Sequence, residues 1–136
     1  MKDIYDQNHF SITHNTEIID FTIDTLPSSS PLDKVFAILT AWNPNNQPLS
    51  LEENTVRNTQ LFALLLERDY VFDRALGYLD QHSEESYCIY GIDFEEAIDL
   101  GKMFDQYAIF YRSMKSVGYY ECASGDPITQ RNFQSH

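Results

Sequence analysis

In "EIIDFTID" the apolar residues Ile19, Phe21 and Ile23 alternate with Asp20, Thr22 and Asp24. A period of two predicts a half-buried strand. "TLPSSSPLD" then interrupts the pattern with two prolines and three serines, a turn or short linker. "KVFAILTAW" is continuously apolar, which predicts a strand buried on both faces. From about Leu51 to Arg68 the chain lacks Gly and Pro, and Ser50 followed by Glu53 forms a capping signature. A helix over that range follows. "YVFDRALGYL" and "SYCIYGI" are further strands, the first weakened or bulged at Gly77, separated by a "DQHSEE" turn. Asp93 with Glu96 opens a second helix over about 94–104, and "QYAIFYR" and "VGYYECA" form a hairpin across "SMKS".

From Lys34 onward the order is strand, helix, strand, strand, helix, strand. That is the split βαβ, or ferredoxin-like, order. The predicted fold is α+β: a mainly antiparallel sheet with both helices on one face, plus an extra strand at each end of the core. Residues 1–15 read as a loose polar arm, 16–124 as a single domain and 125–136 as a polar tail.

This topology gathers polar residues. The Lys34 strand is central, and its end lies beside the starts of the strands at Ser86 and Tyr107. The stretch "TAWNPNNQPLSLEENTVRNTQL", residues 40–61, carries five asparagines and a single arginine. At 100° per residue Asn54, Asn58, Leu61 and Leu65 share one narrow stripe. If the leucines face the core, the two asparagines point toward the sheet, with Arg57 at the stripe's edge. The expected cluster is Asn43, Glu53, Asn54, Arg57, Asn58, Glu85, Ser86 and Gln106. One reading is a pocket that hydrogen-bonds a small polar or anionic ligand, aided by the helix N-terminus. The other is a clamp in which these amides and an Arg57–Glu85 pair hold the Asn/Pro loop.

The blocks "TAWNP", "LSLEENTVRN" with the following Leu, "EES" and "GIDFEEAIDLGKMFDQYAIF" resemble a bacterial family known only as a domain of unknown function, DUF 3293. The likeness spans about 35–111. Asn43-Pro44 and Glu53-Asn54-x-x-Arg57-Asn58 are its most specific part. The chain departs from the pattern at Asp105, where the family implies glycine. The resemblance implies no activity.

Composition narrows the function classes. The 136 residues are 43% hydrophobic and 14% aromatic, enough for one folded core without a metal or disulfide. Asp and Glu number 21 against nine Lys and Arg, a net charge of −12. With no basic stripe, nucleic acid and anionic membranes are excluded as partners. A basic protein partner fits the charge. The N-terminal "MKDIYDQNHFSITH" has no apolar signal core, so the chain reads as cytoplasmic. Cys88 and Cys122 lack CxxC spacing and read as buried hydrophobes; a disulfide between neighbouring strands stays open. His9, His14, His82 and His136 form no ligand pair at helical spacing, so no metal site is expected. Neither is a cofactor, because no phosphate loop or dinucleotide fingerprint occurs. Glu53 and Glu85 are the candidates for acid–base work. Three functions remain open: a binding module, an acidic inhibitor-like protein and an enzyme using Glu53 or Glu85.

Overall fold

The computed structural model describes residues 8–79 and 82–133. Eight strands and two helices follow one another: β1 (His9–His14), β2 (Glu17–Thr22), β3 (Phe36–Leu39), α1 (Leu51–Glu67), β4 (Val71–Leu79), β5 (His82–Tyr90), α2 (Phe94–Met103), β6 (Ala108–Arg112), β7 (Ser116–Glu121) and β8 (Pro127–Asn132). All strands join one sheet in the order β2-β1-β4-β5-β3-β6-β7-β8. Every pairing is antiparallel.

Two apolar clusters lie on opposite faces of this sheet. α1 and α2 cover one face, where Leu61, Leu65, Ala97 and Leu100 meet Ala37, Leu39 and Ile89. Among the described residues the other face has no helix. There Phe10, Ile12, Phe21, Phe36, Ile38 and Phe110 are buried against one another. Phe10 on β1 and Phe110 on β6 have three strands between them. Four strand steps in a flat sheet would separate them by about 19 Å. Their ring centroids are 4.8 Å apart. The sheet therefore curls until its concave face packs on itself, and Arg131 Nε on β8 donates to Asp24 Oδ1 beyond β2 at 2.8 Å. The connection between β2 and β3 adds Ile23 and Leu32 to this inner cluster.

β3 explains why "KVFAILTAW" lacks alternation. All four of its residues are buried, Ala37 and Leu39 toward the helices and Phe36 and Ile38 toward the concave face. α1 begins as the sequence indicates: the Ser50–Glu53 capping box forms in both directions. At α2 the expected box does not form. Asp93 makes no side-chain cap, and Glu96 accepts the Tyr70 hydroxyl instead.

Three expectations need correction. The expected arm contains β1 from His9 on, and the expected tail contains β8; residues 1–7 and 134–136 lie outside the described residues. The sheet thus carries two strands, not one, on each side of the strands formed by 36–112. The physical reason is brevity. β1 turns only Phe10 and Ile12 inward, a weak period-two signal among polar neighbours. Nor does Gly77 cause a bulge, since the β4–β5 register runs through it unbroken. The irregularity lies between β7 and β8, at Tyr119/Tyr120.

Cys88 belongs to the concave cluster and Cys122 to the helix-side cluster, so the sheet separates them and both are free thiols. No helix among the described residues is long and apolar enough to cross a membrane.

Candidate functional site

The asparagines fall into two groups with different work. Asn43, Asn45 and Asn46 adopt positive φ of 46°, 52° and 62°. Asparagine tolerates this left-handed region better than most side chains, so the loop after β3 can reverse sharply. Asn54 and Asn58 are 2% exposed on α1, in the same stripe as Leu61 and Leu65. Asn54 Oδ1 accepts the Asn43 N–H at 2.9 Å, and its Nδ2 donates to Asn43 Oδ1 at 2.9 Å. Asn43 Oδ1 also accepts the Leu49 N–H at 3.0 Å. Asn58 Oδ1 accepts the Ala41 N–H and Nδ2 donates to the Glu85 carbonyl, each at 2.9 Å.

Arg57 completes the arrangement on the other side of β3. Its Nε donates to the Ala41 carbonyl at 2.7 Å, and Nη2 donates to the Phe104 carbonyl at the end of α2. Gln106 Nε2 donates to the Trp42 carbonyl at 2.9 Å. Buried backbone groups in a loop need partners, and here side chains supply them. The expected Arg57–Glu85 pair does not form. Arg57 leans toward α2, where Asp105 Oδ2 is 3.8 Å away. Glu85 lies on β5, across β3 from that contact. It joins the cluster through its backbone carbonyl, which also accepts the Thr40 hydroxyl at 2.6 Å. Glu53 is spent on the capping box at an exposed helix start.

A cavity of about 530 Å³ opens at this same end of the sheet, on the concave side. Phe10, Ile38, Phe110 and Tyr119 give it apolar walls. Thr40, Tyr78, His82, Glu84, Ser86 and Gln106 add polar groups. Of the eight residues expected at a site, Ser86 and Gln106 line this cavity; Asn43, Glu53, Asn54, Arg57, Asn58 and Glu85 do not. Gly77 also lines it, where a Cβ would come to 3.4 Å from the Phe10 ring.

Glu84, at the polar end but outside the expected cluster, is a carboxylate of the cavity wall. Its Oε2 accepts from Asn43 Nδ2 and from His82 Nε2, each at 3.0 Å. Strand alternation contained the signal. Ser86 shares a face with Glu84 and Cys88, whereas Glu85 shares the opposite face with Tyr87 and Ile89. Burial pushes the Cys88 thiol well above its ordinary pKa, which suits a packing residue and not a nucleophile. Among the described residues no group of three or more His, Cys, Asp or Glu is placed to hold a metal ion.

No curated protein and no solved structure matches this chain. A family pattern does match residues 39–109, more than half of the chain. The match runs from the end of β3 to the start of β6, so it includes the whole clamp of Asn43, Asn54, Arg57, Asn58 and Gln106 and the Glu84–Ser86 segment. On that match the chain belongs to the family described as "Protein of unknown function (DUF3293)".

Proposed function

We propose that this protein is a small binding module that holds a small polar ligand in the open end of its curled sheet. The cavity of about 530 Å³, lined by aromatic and aliphatic walls with several polar groups among them, carries this reading; clefts of that size and character suit small molecules. Asn43, Asn54, Arg57 and Asn58 serve the site indirectly, by fixing the loop that follows β3. Ser86, Gln106, Thr40 and Glu84 are the groups available to a ligand. The order β4-β5-β3-β6, with a helix leading into β4 and another into β6, supports a split βαβ core as the scaffold.

The test is to fill the cavity. Ala108 lines it and alternates with the helix-facing Ile109 along β6. The neutral fluorophore N-phenyl-1-naphthylamine should brighten with the parent protein. It should not brighten with Ala108→Trp, and should brighten less with Ala108→Leu, while circular dichroism stays unchanged. Equal brightening of all three proteins removes the cavity from consideration.

The net charge of −12 favours a second reading, an acidic partner for a basic protein. Its mark is capture of a basic partner that weakens steeply with salt and ignores Ala108→Trp.

A further inference from the structure

We propose that the ligand class of this cavity is an organic cation, a protonated or quaternary amine carried on an aromatic or apolar body. This rests on the cavity being the ligand site, and goes further by fixing the sign of the ligand's charge.

Three observations converge. The first is Glu84. Asn43 Nδ2 and His82 Nε2 both donate to its Oε2, so the carboxylate is held in place. Its Oε1 receives no hydrogen bond from the described residues, which leaves one oriented acceptor at a cavity wall. The second is that no permanent positive charge offsets this carboxylate; His82, at 3.0 Å, carries one only when protonated. No Lys or Arg occurs among the described residues that line the cavity. Arg57, the cation of α1 beside the loop, is turned away and bonded to the Ala41 and Phe104 carbonyls. An anion entering here would meet Glu84 with only His82 beside it, a like-charge contact that costs affinity. The third is aromatic lining. Phe10, Tyr78, Tyr107, Phe110 and Tyr119 all line the cavity. Ring faces carry negative potential and attract ammonium groups. The chain's net charge of −12 adds a long-range field of the same preference.

The chemistry is selective. A protonated amine can donate to Glu84 Oε1, and a quaternary one can pair with its charge, while the apolar body displaces water from the rings. A matched alcohol keeps the apolar contact and loses the charge pairing. A matched carboxylate reverses it.

The experiment is displacement of bound N-phenyl-1-naphthylamine by 2-phenylethylammonium, phenyltrimethylammonium, 2-phenylethanol and 3-phenylpropanoate at low salt. The cations should displace at concentrations about tenfold below the alcohol, with the carboxylate weakest. Glu84→Gln should remove most of the cations' advantage over the alcohol, leaving only the part that the rings and the net charge supply, with its melting temperature checked for folding. A cation no better than the alcohol overturns the proposal and leaves the cavity as a binding site for neutral molecules; an advantage undiminished in Glu84→Gln overturns it as well, because Glu84 would then not set the sign of the ligand. Failure of the fluorophore itself to bind removes the cavity reading and this one together.

Discussion

The side-chain carbonyl of Asn58 accepts the backbone N–H of Ala41 at 2.9 Å, tying α1 to the residue where the central strand gives way to the loop. The same amide donates to the Glu85 carbonyl on β5. Asn58→Ala therefore strands a buried donor and weakens the satisfaction of an acceptor. Each such group costs about 1–3 kcal/mol, so the variant should lose about 2–4 kcal/mol in urea denaturation. Asn58→Asp keeps the acceptor but sets a carboxylate against the Glu85 carbonyl, and should recover little. A loss within about 0.5 kcal/mol of zero would show that water replaces both bonds.

Arg57 makes the second tie, through the Ala41 and Phe104 carbonyls. Arg57→Ala should cost about 2–3 kcal/mol, because bonds from a charged donor are the stronger kind. Arg57→Lys should not restore it, since one ammonium cannot reproduce the planar fork that spans two carbonyls. Fluorophore binding in the cavity should survive in both variants. If binding disappears while stability holds, Arg57 touches the ligand and the clamp account is wrong.

These ties show what the sequence could and could not disclose. Periodicity put Asn54 and Asn58 beside Leu61 and Leu65, and the helix buries all four. The capping box at Ser50 was equally readable, because its bonds are local. The curl of the sheet was not. It depends on Phe10 and Phe21 meeting Phe110, and Phe10 meeting Tyr119, across the concave face, and contacts between strands far apart in a sheet leave no mark on local spacing. For that reason the sequence pointed to the polar side of the loop, whereas the cavity lies on the face where Glu84 and Ser86 point. Arg57's partners were hidden for another reason: they are backbone carbonyls, which carry no residue identity.

α1 ends with Asp69 at φ 59°, while the Tyr70 N–H reaches the Leu65 carbonyl and the Asp69 N–H the Leu66 carbonyl, each at 3.1 Å. That is the Schellman pattern, whose left-handed position prefers glycine. Asp69 also sets a negative charge at the negative end of the helix. Asp69→Gly should raise stability by about 1 kcal/mol, seen as a higher melting temperature. Asp105, at φ 58°, ends α2 in the same way: the Gln106 N–H reaches the Gly101 carbonyl at 2.8 Å. This explains the glycine implied there by the family resemblance. Asp105→Gly should gain less, because it gives up the carboxylate beside Arg57. Destabilisation by Asp69→Gly would mean that chain entropy outweighs strain at this turn.

Gly101 sits inside α2, where glycine costs about 1 kcal/mol relative to alanine. Packing accounts for it. A Cβ at this position would lie 2.6 Å from Cys122 Sγ and 3.0 Å from Ile109 Cγ2. Gly101→Ala should therefore destabilise by about 1–3 kcal/mol despite its better helix propensity. Cys122→Ala removes the sulfur, and in that background Gly101→Ala should cost far less or stabilise. A double-mutant cycle measures the coupling. Additive effects would place the strain somewhere other than the Gly101–Cys122 contact.

Cys122 also gives the protein a pH limit. Burial is the chief cause that pushes its thiol up from 9.0 to about 11, and Cys88 is raised further still. The folded state thus keeps protons that the unfolded chain releases near pH 9. This contribution is complete below pH 9 and is lost as pH rises through about 11. Stability in urea should fall across that window, and Cys122→Ala should fall less steeply than the parent. At pH 8 a thiol reagent should label neither cysteine in the native protein and both in denaturant. Rapid native labelling of Cys122 would require α2 to lift from the sheet, because its sulfur lies beneath Gly101.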